Sequence, residues 1–143
     1  MGEPNRTSHQ AEFQQRLSAG DRHRAASEME HARAEYLQAL AYAETHLGAE
    51  SSEVDRACLA LASLHSALEE PAEELAALER RVRIRRAKGD IPDIVDALQD
   101  VAQCLSDQTR SEESLAAYAE AVALCDESNE AHRPMLQIGR AHV

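Results

Sequence analysis

Apolar residues recur along this chain at spacings of three and four, the mark of helices that bury one face. From Glu53 the run EVDRACLALASLHSALEEPAEELAALERRVRI sets Val54, Ala57, Cys58, Leu61, Ala62 and Leu64 on one stripe, then Leu75, Leu78, Val82 and Ile84 on a second. A shift of 40 residues lays DIVDALQDVAQCLSDQTRSEESLAAYAEAVAL, from Asp93, over the same pattern. Ile94, Ala97, Leu98, Val101, Ala102 and Cys104 take the places of the first stripe, and Leu115, Tyr118, Val122 and Leu124 those of the second. A two-helix unit repeating at this period is the sequence form of a stacked solenoid, because one amphipathic hairpin cannot bury its own apolar face.

Punctuation separates the helices. Pro71 suits the first turn of a helix, Pro92 opens another, and Thr109 with Glu112 and Ser27 with Glu30 have the spacing of capping boxes. Gly48, Gly89 and Asn129 follow the longer helices and are residue types that tolerate the left-handed closing conformation. The pattern predicts helices near 9–24, 28–47, 53–68, 71–88, 93–107 and 111–126, in repeat units of about 9–48, 53–89 and 93–128. The first helix, 9–24, offers its apolar face little beyond Phe13, Leu17 and Ala19, and Gly20 costs helix stability. Residues 1–8 are expected to be disordered.

Beyond 128 the register implies the start of a truncated further repeat over 129–143, yet Pro134, Ile138, Ala141 and His142 stand where Ile94, Leu98, Val101 and Ala102 stand one unit earlier. The terminal QIGRAHV, 137–143, resembles the translation of a common sequencing adapter. It is expected to be an artefact, to be set aside from fold and function as an expression scar would be.

The repeats resemble the tetratricopeptide family, in the longer variety of about forty residues found in kinesin light chains and bacterial regulators. Val101 and Ala102 stand where the family's first helix carries a large and then a small residue, Leu105 takes the usual aromatic position, and Ser114, Tyr118 and Ala121 fit the small, aromatic, small pattern of the second helix. AEYLQALAYAETHLGAESSEV, from Ala34, is similar to the family's second helix and linker. The middle repeat departs, with Glu74 and Arg81 at positions usually small and His65 in place of the aromatic. The expected fold class is all-α, an α-solenoid of about three stacked antiparallel hairpins, with a HEAT-like or other helical solenoid as the alternative.

The resemblance implies a non-enzymatic scaffold that binds a peptide or partner domain on a concave face lined by the first helix of each repeat. Opposite the core stripe, helical spacing puts Arg56, Leu59, Ser63 and Ser66 on that face, and one repeat later Asp96, Gln99, Gln103 and Asp107. The family's Lys and Asn clamp for a C-terminal carboxylate is missing, which disfavours a chaperone-tail receptor. The alternative is the regulatory repeat arm of a larger bacterial transcription regulator or ATPase. Self-association through an exposed terminal repeat is a further expectation.

Composition narrows the partners. A net charge of −11 over 143 residues disfavours nucleic acid, whose phosphates need a basic footprint, and favours basic partners. No run is long and apolar enough to span a bilayer, and no signal peptide is recognisable, so no membrane partner is expected. Three unpaired cysteines, Cys58, Cys104 and Cys125, read as small apolar fillers of a cytoplasmic protein.

Candidate chemistry is sparse. His23 and His31, eight residues or two helical turns apart, leave too large a gap to share a metal without a third residue between them, and no CxxC or HExxH spacing occurs; no metal or other cofactor is expected. His65 reads as a partly buried packing residue and the other histidines as solvated. The carboxylate pairs Glu69-Glu70, Glu73-Glu74 and Glu112-Glu113 sit at helix starts, where negative charge complements the helix dipole, so no catalytic residue is assigned. The sharpest anomaly is RRVRIRRAK, from Arg80 to Lys88. Arg80, Arg83 and Arg86 form an outer basic ridge that either pairs with glutamates of neighbouring hairpins or binds an acidic ligand.

Overall fold

The computed structural model describes residues 5–131. Six helices follow one another: α1 (Arg6–Ala25), α2 (Met29–His46), α3 (Ser52–Ala67), α4 (Pro71–Lys88), α5 (Ile91–Asp107) and α6 (Ser111–Ala131). No strand occurs among the described residues. The pairs α1–α2, α3–α4 and α5–α6 are antiparallel hairpins, joined in a row because α3 packs on α2 and α5 on α4. The fold is an all-α solenoid, as the periodicity predicts.

One turn closes all three hairpins. Ser27, Glu69 and Thr109 have φ of 63°, 58° and 59°, the left-handed region, although none is glycine. The amide of the next residue reaches back five positions, Glu28 to His23 O at 2.8 Å, Glu70 to His65 O at 2.9 Å and Arg110 to Leu105 O at 2.9 Å. This bonding satisfies carbonyls left open at the helix end. The two expected capping boxes are therefore absent. α2 begins at Met29 behind Glu28, which makes no side-chain cap, and the Thr109 hydroxyl donates to Gln108 O at 2.6 Å. Ser27 and Thr109 are consumed by the turn, one place before the residue that could cap.

Side-chain caps occur instead at Asn5, whose Oδ1 accepts from Ser8 N at 2.9 Å, and at Ser51, whose Oγ accepts from Val54 N at 3.2 Å. Each satisfies one orphan amide of a first turn. The Asn5 cap starts α1 at Arg6, within the segment expected to be disordered. The carboxylate of buried Glu53 also holds this end, accepting from Gln10 at 3.3 Å and facing Arg6 at 3.8 Å. Gly48 and Gly89 take the left-handed conformation after α2 and α4, with φ of 103° and 79°. Asn129 does not end a helix, since α6 runs on to Ala131. The expectations for residues 1–4 and 132–143, including QIGRAHV, lie outside the described residues.

Gly20 lies inside α1 because Tyr36 presses on it: a Cβ there would stand 2.5 Å from Tyr36 Cδ1 and Cε1. The buried Tyr36 hydroxyl donates to Asp21 Oδ1 at 2.5 Å. Burial, and then this hydrogen bond to the neutral hydroxyl, push its pKa up to about 12. At the equivalent places Ala62 is paired with Leu78. The smallest residue therefore faces the larger ring.

Candidate functional site: a cleft between two first helices

The left-handed turn residues Ser27 and Glu69 put the first and second repeats in register at an offset of 42. At that offset Ala32, Ala39 and Ala43 of α2 correspond to Glu74, Arg81 and Arg85 of α4, and Phe13 of α1 corresponds to Asp55 of α3. The alanines and Phe13 are fully buried in one cluster with Val54, Ala57, Cys58 and Leu61. Their small volume lets α1 touch α3. Arg24 Nη1 donates to Ser63 Oγ at 2.7 Å and its Nη2 to Ser63 O at 3.3 Å. Arg56 donates to Gln14 and stands over the Phe13 ring at 5.5 Å.

The next junction carries charge at the same positions. Arg81, only 4% exposed, donates from Nε to Asp55 Oδ1 at 2.7 Å and from Nη1 to Asp100 Oδ2 at 2.9 Å. Arg85 donates to Asp55 Oδ2 at 3.0 Å and to Asp93 O at 2.8 Å. Four hydrogen bonds thus tie α4 to both neighbouring first helices, the strong form of pairing for a planar guanidinium. Long side chains in place of alanines wedge the helices apart, and no Cα of α3 comes within 8 Å of one of α5.

The gap is a cleft of about 400 Å³ between α3 and α5. Leu59, Ser63 and Ser66 line one wall, Asp100, Gln103 and Asp107 the other, with Arg24 and Glu74 adding charge and Ala62, Leu78 and Cys104 the floor. Leu59 is 45% exposed. The Cys104 thiol is pushed up to about 11 by burial, with the Glu74 and Asp107 carboxylates acting in the same direction. Cys58 is raised too, by burial first, so neither buried thiol is an activated nucleophile.

All eight residues expected on the concave face are exposed. Leu59, Ser63, Ser66, Gln103 and Asp107 meet in the cleft, whereas Arg56 is engaged with Gln14 and Phe13. Asp96 lies toward another hollow beside Ile91, Pro92 and Cys125, and Gln99 lines neither. Arg24, Glu74 and Asp100 were missed. Glu74 and Arg81, long charged residues at positions that are small in both flanking repeats, were the available signal.

On the outer side Arg80 pairs with Glu44 of α2 at 2.5 Å and Arg86 with Glu120 of α6. Two of the three ridge residues thus stitch consecutive second helices together. Arg83 has no ion-pair partner among the described residues. Arg81 and Arg85, from the same basic run, face inward, because Asp55 of α3 receives them.

The histidines depart from expectation. A turn, not continuous helix, separates His23 from His31, so their rings stack at 5.2 Å across the hairpin. At the other end of the same hairpin His9 stacks on His46 at 4.4 Å, and its Nδ1 lies 2.8 Å from the Tyr42 hydroxyl. His23 and His65 each meet a glutamate five residues on, Glu28 at 3.1 Å and Glu70 at 2.8 Å. Glu70 is held below the usual carboxylate range by hydrogen bonds from Arg33 and then His65. No group of three or more His, Cys, Asp or Glu among the described residues is placed to hold a metal ion. No helix among them is long and apolar enough to cross a membrane.

On the last helix Leu115, Tyr118 and Val122 are 38–67% exposed, while their counterparts Leu75, Leu78 and Val82, covered by α5, are 6–8% exposed.

No family model matches this chain, and no curated protein sequence matches it. Among solved structures it is similar to BtubC (BKLC) from P. vanneervenii, with a TM-score of 0.71 and 16% identity over 82% of this chain and 48% of that one. The likeness supports a tetratricopeptide-like helical repeat fold. This chain spans about half the length of that neighbour.

Proposed function

We propose that this chain is a non-enzymatic, cytoplasmic interaction module that takes a protein or peptide segment on the face of α1, α3 and α5. The observation that carries the reading is the cleft between α3 and α5, where a buried ionic wedge keeps two helices apart and leaves Leu59 half exposed beside the exposed side chains of Ser66, Gln103 and Asp107. Helical repeat folds of this type are commonly interaction scaffolds, and burial raises the pKa of both Cys58 and Cys104, away from an activated thiolate. A photo-crosslinking residue at Ser66 or Gln103 is expected to capture a partner in cells, and the same residue at Glu30, on α2, is not. Equal capture from all three positions overturns the reading.

A second reading has its own observation. The apolar stripe Leu115, Tyr118 and Val122 has no helix over it among the described residues, and the chain spans 48% of its structural neighbour. Both favour these repeats being part of a longer array or the regulatory arm of a larger bacterial regulator or ATPase, in which a further repeat, or a second copy, covers α6. Tyr118→Ser combined with Val122→Ser is expected to leave sedimentation unchanged if a further repeat is the cover. It is expected to shift a dimer to monomer if a second copy is. A winged-helix or P-loop segment in the same reading frame supports the regulator; a short free-standing frame removes it.

A further inference from the structure

The cleft between α3 and α5 is electrically lopsided. The α3 wall presents Leu59, Ser63 and Ser66, with no charge of its own, and the one cation that lines the cleft among the described residues, Arg24, is bound to Ser63. The opposite side presents Glu74, Asp100 and Asp107. Asp100 is already met by Arg81, whereas Asp107 is met only by the neutral Gln103 amide at 2.9 Å and Glu74 by no ion pair among the described residues. The floor between these two carboxylates is Cys104, whose thiol both of them act upon. Two carboxylates thus flank the buried Cys104 side chain, and no cation stands between them among the described lining residues.

The rest of the lining suits a main chain. Ser66 offers a hydroxyl and Gln103 a side-chain carbonyl at the rim, groups that pair with amides and carbonyls of any sequence. At about 300–1,000 Å³ a hollow holds a small ligand or a few side chains, and the volume here lies near the lower bound.

We infer that the occupant of this cleft is an extended basic peptide, with an apolar side chain over Leu59 and a lysine or arginine head between Glu74 and Asp107. The inference rests on the cleft being the binding face. Arg24 sets the direction, since it repels a basic side chain from the Ser63 end and leaves the α5 side as the place for cationic groups. An acidic peptide or a nucleic acid meets the carboxylate wall and is excluded. Because the carboxylates are at or near the surface, the binding weakens as salt is added.

Fluorescence anisotropy on the whole chain at low ionic strength tests this with three labelled probes: GGLGKGKGG, the same peptide with both lysines changed to glutamate, and the same peptide with leucine changed to serine. The lysine and leucine probe is expected to bind tightest, with each other probe at least fivefold weaker. Asp107→Asn and Glu74→Gln are expected to raise its dissociation constant about two- to fivefold each, and Leu59→Ser at least as much. Glu112→Gln, with the same change in net charge outside the cleft, leaves it unchanged. Circular dichroism confirms that each variant is folded. Tighter binding of the glutamate probe that is lost in Leu59→Ser overturns the basic class and keeps the cleft as the binding face. Binding of any probe that is indifferent to both Leu59→Ser and Asp107→Asn overturns the inference and the binding face together. Failure of all three probes, while crosslinking from Ser66 still captures a partner, overturns the inference alone.

Discussion

The two junctions between repeats use the same positions for opposite chemistry. Between the first and second hairpins Phe13, Ala39 and Ala43 are fully buried and apolar, and α1 touches α3. Between the second and third, Asp55, Arg81 and Arg85 occupy the corresponding places, and α3 stands clear of α5. Small side chains permit close approach, whereas a buried guanidinium needs room for itself and its carboxylates. The cleft in this solenoid therefore follows from one unit in which spacer residues replace packing residues. The cost is a charged network that is stable only while complete, since removing one partner of a buried pair leaves the other uncompensated.

The junctions differ in ways that substitution can erase. The largest effect is expected from Ala39→Arg, which places a guanidinium against Phe13 with no aspartate to receive it; overpacking plus an unpaired buried charge should cost about 4 kcal/mol or more, read by urea unfolding. A loss below about 1 kcal/mol would show that the first junction is as permissive as the second. Next, Arg81→Ala should cost about 3 kcal/mol by emptying the wedge and leaving Asp55 to Arg85 alone, and Arg81→Met should be clearly milder because its apolar chain refills the wedge. Equal losses for the two would mean that charge pairing, not volume, keeps the cleft open.

Gly20→Ala should cost about 1–3 kcal/mol by overpacking, since the added methyl collides with Tyr36. Ala62→Gly, at the corresponding place, should cost about 1 kcal/mol through helix propensity alone. The smallest effect concerns pH. Tyr36 titrates near 12 when folded against an ordinary value of 10.0. The folded state holds the proton longer, so this contribution to stability is intact below pH 10 and is lost as pH rises through 12. Ultraviolet titration of tyrosinate is expected to lose its latest step in Tyr36→Phe. A loss of an earlier step instead would remove the assignment.

The two ends of the array contrast as well. At the offset of 42, α1 carries Glu12, Arg16, Ala19 and His23 where α3 carries Val54, Cys58, Leu61 and His65. Glu12 and Arg16 pair at 3.0 Å, and Arg16 lies over Tyr42 at 5.1 Å, so that flank of α1 is polar. At the other end α6 repeats the apolar stripe that α5 covers on α4, with nothing over it among the described residues. The outer face of the first repeat is thus polar, and the described outer face of the third is apolar.

Much of this was legible in advance, and the failures have a common cause. Periodicity placed the helices to within a few residues, because a spacing of three and four allows one burial geometry. The capping boxes failed because a turn and a cap compete for the same Ser or Thr, and only the left-handed backbone reveals which prevails. His23 and His31 were misjudged for the same reason, since a turn converts a distance along one helix into a contact across two. Glu74 and Arg81 were visible as departures from a small-residue pattern, but their consequence depends on Asp55 and Asp100, which no local spacing links to them.

The sequence by itself determined the helices, the repeat period and the core stripes, all of which follow from which side chains avoid water along one helix at a time. Only the tertiary structure decided where the solenoid opens. That depends on whether the groups meeting at a junction are alanines that let helices touch or ions that hold them apart, and those groups come from segments 19 to 45 residues distant.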